Sequence, residues 1–148
     1  MADLLTDFGE EYWQRTATGD LTEATTWTIG IYNDTTDTIA DSDDIAAITS
    51  EPGNTNYSRQ SVTASNITFT QSGGDVEFDV PNVTFDLTDN ASANEFDSWF
   101  IVISFTSNVV GSDGGDTDHL VMTGSLSTTY TGSSTGNLQV NDIAGSLT

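Results

Sequence analysis

Gly132-Ser133-Ser134-Thr135-Gly136 matches G-x-S-x-G, the sharp strand-to-helix turn on which many serine hydrolases expose their nucleophile. That chemistry needs a helix after the serine. Here Leu138-Gln139-Val140 follows with the alternation of a strand, so the pentapeptide reads as a hairpin turn. His119 is the only histidine, and with Asp116 or Asp118 it would form a base with an orienting carboxylate. At a loop-to-strand junction among acids it reads instead as a solvated or capping side chain. Asp113, Asp116 and Asp118 offer oxygen ligands close together in sequence, as do Asp41, Asp43 and Asp44. Hard cations take six to eight oxygens in defined geometry, and neither run has the EF-hand spacing. A structural Ca2+, Mg2+ or Na+ at Asp113, Asp116 and Asp118 is therefore the weak metal option, and no other cofactor is expected. The chain has no cysteine, which excludes disulfides, thiolate metal sites and thiol nucleophiles. No catalytic group stands out, and an enzyme is not expected.

The cations are informative by scarcity. Arg15 and Arg59 face 23 acidic residues, there is no lysine, and the formal charge is −21. Each arginine is expected to sit in a bidentate carboxylate pair, as an intrachain brace before an interface contact. Phosphate neutralisation needs clustered Lys and Arg, so no nucleic-acid partner is expected. Five N-x-S/T sequons begin at Asn33, Asn56, Asn66, Asn82 and Asn90, as a chain with 41 Ser and Thr produces partly by chance. They are expected to be unmodified.

The charge also sets a condition on folding. A sphere of radius ~19 Å, from the scaling of compact domains, carrying 21 charges has a self-repulsion in water of roughly 48 kcal/mol by Coulomb's law. Screening over ~8 Å lowers this to roughly 14 kcal/mol, and over ~3 Å, in molar salt, to roughly 7 kcal/mol. The unfolded chain shares part of the cost, yet the remainder competes with a stability of about 5–15 kcal/mol. A chain without lysine, with 17 Asp against six Glu, resembles the proteins of extreme halophiles.

The elements that would hold these residues follow from periodicity. Leu4, Leu5, Phe8 and Tyr12 recur at helical steps with Trp13 beside them, which predicts a helix over 3–15 that stops at Gly19. Trp27, Ile29 and Ile31 alternate as a strand. Ser42-Asp43-Asp44 caps a short helix at Ile45–Ile48, and Glu51-Pro52-Gly53-Asn54 is a turn. Further strands are expected over 61–70, at Val76, Phe78 and Val80 with Asp75, Glu77 and Asp79 on the wet face, and at Val83, Phe85 and Leu87. Residues 99–105 are apolar on both faces and mark the most central strand, or one covered by the N-terminal helix. After a loop over 111–118, two short strands hold Leu120, Met122, Leu126 and Tyr130, and Leu138 and Val140 begin the last. About eight short strands after one helix predict an all-β fold, an antiparallel β-sandwich or jelly roll with a short N-terminal α-helix. The division is a helix and linker over 1–19 and a single sandwich domain over 20–148. The start of the chain lacks a basic region and no apolar run could span a bilayer, so neither secretion nor a membrane partner is expected.

The order of these features resembles small structural proteins of tailed phages and their proviruses. The resemblance rests on the N-terminal helix, the strand Thr26–Asn33 with its following acidic segment, and Glu51-Pro52-Gly53 leading to Tyr57-Ser58-Arg59-Gln60. It continues through the paired strands from Val76 to Phe85 and a closing Gly136-Asn137-Leu138 or Gly145-Ser146-Leu147. The aromatic-Gly pair usual at the central strand is replaced by Ser98-Trp99-Phe100. The resemblance implies a virion protein with no catalytic role, most of all a turret or decoration protein on the capsid of a tailed virus of halophilic archaea. Such a protein is assembled in the host cytoplasm at high salt. Its implied partners are further copies of itself in a symmetric ring and the major capsid protein or other virion proteins. The helix face Leu4, Leu5, Phe8, Tyr12 and Trp13 would either pack under its own sandwich or dock on the shell. The alternative is a tail, baseplate or fibre component that binds a receptor or carbohydrate, with Trp99 or Tyr32 stacking on sugar.

Overall fold

The computed structural model describes residues 3–73, 75–88, 95–109, 115–131, 136–140 and 143–147. The described chain is mostly β, with one α-helix. In order the elements are β1 (Leu4–Leu5), α1 (Asp7–Thr18), β2 (Thr26–Tyr32), β3 (Gln60–Thr63), β4 (Thr68–Ser72), β5 (Asp75–Asp79), β6 (Val83–Asp86), β7 (Glu95–Thr106), β8 (Asp116–Thr131), β9 (Asn137–Val140) and β10 (Ala144–Leu147). They form a five-stranded sheet β1-β8-β7-β2-β3, a three-stranded sheet β10-β5-β4 and the pair β6-β9. Every pairing is antiparallel.

The helix begins later than its apolar spacing suggests. Leu4 and Leu5 are extended and pair with Thr123 and Met122 of β8. Thr6 is the N-cap: its hydroxyl accepts from the Gly9 N–H at 3.1 Å and donates to the Leu120 carbonyl. A Cβ on Gly9 would stand 2.1 Å from the Val121 carbonyl oxygen, so glycine is what lets α1 lie directly on the β8 backbone. Gly19 ends the helix with φ 76°, its N–H returning to Arg15 and Thr16.

The central strand β7 is apolar on both faces because both are covered. On one face Trp99, Ile101, Ile103 and Phe105 join Trp27, Ile29 and Ile31 of β2, and this cluster takes in Phe78, Val80, Val83, Phe85 and Val140 from the smaller sheets. On the other face Phe100 and Val102 pack with Tyr32, Leu120, Ile39 and Ile48. The cover on this second face is the acidic segment after β2 and not the helix. Phe8 and Tyr12 of α1 belong to the first cluster, each worth about 1.5–3 kcal/mol of burial.

Three boundaries differ from the pattern in the sequence. The stretch 61–70 is two strands in two sheets, separated by a 3-10 turn at Ala64–Asn66. Leu120 to Tyr130 lies in one strand, β8, which already begins at Asp116 and stays paired with β7 by register shifts at Phe96/Ser98 and Ile101/Val102. The C-terminal part holds two strands, β9 and β10, where one was expected.

Candidate functional site

The tetrapeptide Tyr57-Ser58-Arg59-Gln60 and the preceding Glu51 form one hydrogen-bonded unit. Glu51 accepts from the Tyr57 hydroxyl at 2.9 Å and from Arg59 Nε at 3.0 Å and Nη2 at 2.5 Å. The same hydroxyl accepts from the Ile31 N–H of β2 at 3.3 Å. The Tyr57 ring stacks on Phe85, 5.7 Å between centroids, and the Arg59 guanidinium lies 5.1 Å over the Phe100 ring. Gln60 then opens β3 opposite Ile29. Burial pushes the Tyr57 phenol far above its ordinary range and the Glu51 carboxylate adds to this, while the bond to Glu51 raises Arg59 further. The unit clamps the 51–59 loop onto β2, β6 and β7, with Arg59 as an intrachain brace.

Arg15 is braced within the chain as well. Its Nη1 donates to the Thr106 carbonyl at 2.7 Å and to Glu11 at 3.1 Å, and its Nε to Asp20 at 2.7 Å. Glu11 also accepts from the Ser107 hydroxyl and from the Asn108 and Val109 N–H groups at 2.8 and 3.2 Å. Burial alone would raise the Glu11 pKa, but these donors outweigh it and hold the carboxyl below its usual value. Together the two residues fasten α1 to the outgoing end of β7.

His119 is neither solvated nor at a loop junction; this corrects the expectation. It lies inside β8 and is 2% exposed. Its ring stacks on Phe8 at 4.6 Å, with Nδ1 2.8 Å from Asp44 and Nε2 3.1 Å from the Thr117 hydroxyl. Asp116 and Asp118 alternate with it along the strand and face the other way, both exposed, so neither orients the imidazole. The carboxylate that does is Asp44, 75 positions away, which also accepts from the Leu120 and Ile45 N–H groups, each at 2.7 Å.

Asp37 is 7% exposed and accepts four hydrogen bonds, from the N–H and hydroxyl groups of Thr49 and Ser50 at 2.6–2.8 Å. Burial would raise its pKa, but these donors hold it below the ordinary range. Its contribution to stability is therefore fully present above the unfolded-state pKa near 4 and is lost as the pH falls from there through the lower folded-state pKa. Asp37→Asn is expected to cost about 1–3 kcal/mol at neutral pH, because four donors lose a charged acceptor. The gap from the parent should shrink below pH ~4, which denaturant titrations across pH would read.

Of the metal candidates, Asp113 lies outside the described residues, as do Ser133 and the rest of the G-x-S-x-G turn before Gly136. Among the described residues no three His, Asp or Glu side chains converge on one point. The N-terminal residues divide: Phe8 and Tyr12 are in the core, whereas Leu4, Leu5 and Trp13 are half-buried. Trp99 and Tyr32 are fully buried, so neither ring is available to a sugar. Burial pushes the Tyr32 phenol up to about 12. An open groove of about 560 Å3 is lined by Asn33, Thr36, Ser50, Glu51 and Glu95, among others. Glu51 already serves Arg59 and Tyr57, so the groove presents hydrogen-bonding groups and no unengaged carboxylate pair for acid–base work.

No family model matches the chain, and no curated protein or solved structure matches it either.

Of the acceptors that hold these contacts, Asp44 was expected as a helix cap and oxygen ligand and Glu51 as part of a turn, whereas the partly buried Glu11 and the buried Asp37 had no place among the expected site residues. Glu51 and Asp44 had local signals, the first its place ahead of the Tyr57–Gln60 motif and the second its place ahead of the short helix at Ile45, which its side chain caps. The others find their partners across turns or from distant strands.

Proposed function

We propose that this chain is a virion structural protein without catalytic activity, a turret or decoration protein on the capsid of a tailed virus infecting halophilic archaea. In this reading the two larger sheets and the β6-β9 pair enclose one core as an antiparallel sandwich of jelly-roll type. Copies assemble into a symmetric ring on the head, next to the major capsid protein, and need no cofactor.

The observation that carries the reading is the use made of the rare polar assets. Both arginines and the lone histidine are engaged in fixing the chain's own loops and helix. What remains for solvent is largely carboxylate, hydroxyl and amide, a surface suited to concentrated electrolyte and to binding by shape.

The test is cryo-EM of the purified particle, kept in molar salt, from the virus whose genome encodes this chain. Density fitting copies of the fold around capsid vertices is expected. Density confined to the tail, or particles that lack the chain by mass spectrometry, would overturn the head assignment.

A further inference from the structure

Among the described residues, two large apolar side chains are exposed, Phe69 at 44% and Val76 at 38%. Both lie on the β4–β5 hairpin. Register puts Phe69 opposite Phe78 and Gln71 opposite Val76, so all four share the sheet face that points to the core. Phe78 is buried there, whereas Phe69 extends past the covered area, with Trp13 and Trp27 edge-on at 6.4 and 6.3 Å.

β4 is also an edge strand: in the sheet β10-β5-β4 its outer side has no neighbour among the described residues. Natural edges are usually blunted by lysine, proline, inward charges or bulges. The sequence Thr68-Phe69-Thr70-Gln71-Ser72 has none of these. It lies within an uncharged run from Gln60 to Gly74 in a chain that carries −21 overall.

That neutrality selects the occupant. The strand itself gives a basic partner no carboxylate to pair with. The nearest acids, Glu77 and Asp79 on β5 and Asp3 beside Thr68 and Thr70, are set off its outer side, so a second acidic copy can approach along that side in molar salt. We propose that β4 pairs antiparallel with β4 of a second copy of this chain about a two-fold axis at Thr70, an interface that rests on the self-assembly part of the reading above. The two sheets then join as β10-β5-β4-β4-β5-β10. Phe69 faces Gln71 of the other copy, and the two Phe69 rings sit on the diagonal within reach of each other. Glu77 and Asp79 are one strand back on β5, so they and their mates are separated by three strand spacings, ~14 Å. This exceeds the Debye length in molar salt, ~3 Å, and even that at physiological strength, ~8 Å.

A chain without cysteine allows a direct test. Thr70→Cys in about 3 M KCl with a mild oxidant is expected to give a disulfide-linked dimer as the main product. Thr38→Cys, also exposed and far from β4 in sequence, should remain largely monomeric. Phe69→Asp, with its fold checked by circular dichroism, is expected to weaken self-association about thirty-fold or more in sedimentation, as loss of a buried aromatic anchor does. If the parent self-associates but Phe69→Asp associates equally well and Thr70→Cys links no faster than the control, the edge is wrong and self-assembly stands. A parent that stays monomeric in molar salt, with no Thr70→Cys product, overturns both.

Discussion

Unfolding midpoints measured from about 0.1 to about 3 M KCl are expected to rise steeply, by 10 °C or more in temperature, about 3 kcal/mol for a chain of this size. The native repulsion calculated above falls by roughly 7 kcal/mol when the screening length shortens from ~8 to ~3 Å, and only part of this is cancelled by the unfolded chain. Local geometry points the same way. Burial raises the Asp34 pKa, with Asp97 adding to the effect, and the backbone N–H of Asp34 donates to Asp97 at 2.8 Å. Two acids are thus held near each other. NaCl and KCl should act alike if screening is the cause. Trp27 and Trp99, both buried, make intrinsic fluorescence a suitable signal. A flat response to salt would remove the halophile setting and with it the host assignment.

Glu51→Ala is expected to destabilise the fold by about 2–4 kcal/mol. The substitution leaves the partly buried Tyr57 hydroxyl without its acceptor and the Arg59 guanidinium without its counter-ion over the Phe100 ring. The cost stays below that of breaking a fully buried pair, because Arg59 and Glu51 retain 31% and 21% side-chain exposure. A double-mutant cycle with Arg59→Ala should return a coupling of about 1–3 kcal/mol by denaturant unfolding. Loss of less than about 0.5 kcal/mol in the single variant would mean that the cluster does not brace the loop.

The elements with a clean period were legible from the residue order alone. Trp27, Ile29 and Ile31 announce β2, the two-sided apolar run announces the central place of β7, and Gly19 marks the end of α1. Leu4 misleads because it precedes Phe8 by four residues, although the backbone between them is extended and then capped by Thr6. The break at Ala64–Asn66 carries neither glycine nor proline, so nothing local signals that the chain changes sheets. The polar stretch after Met122 looks like a gap between strands until β7 is placed beside it. A Cβ on Gly124 would come within 2.3 Å of the Trp99 ring, and one on Gly30 within 2.1 Å of Phe100. The aromatic–glycine partnership missing within the central strand is thus made across it, on both sides. The candidate site was legible only as the motif ending in Arg59-Gln60. The pairing of His119 with Asp44 depends on tertiary contact, which no spacing rule reaches.

The bracing of Arg15 and Arg59 gives the chain an unusual relation to trypsin, which cuts only after lysine or arginine. With no lysine present, the folded molecule offers that protease just these two peptide bonds, one at the end of a capped helix and one leading into β3. Tryptic cleavage should therefore behave as a clock for opening of the fold. The lifetime of the uncut chain in buffers of rising salt would follow its folding equilibrium without any spectroscopic probe.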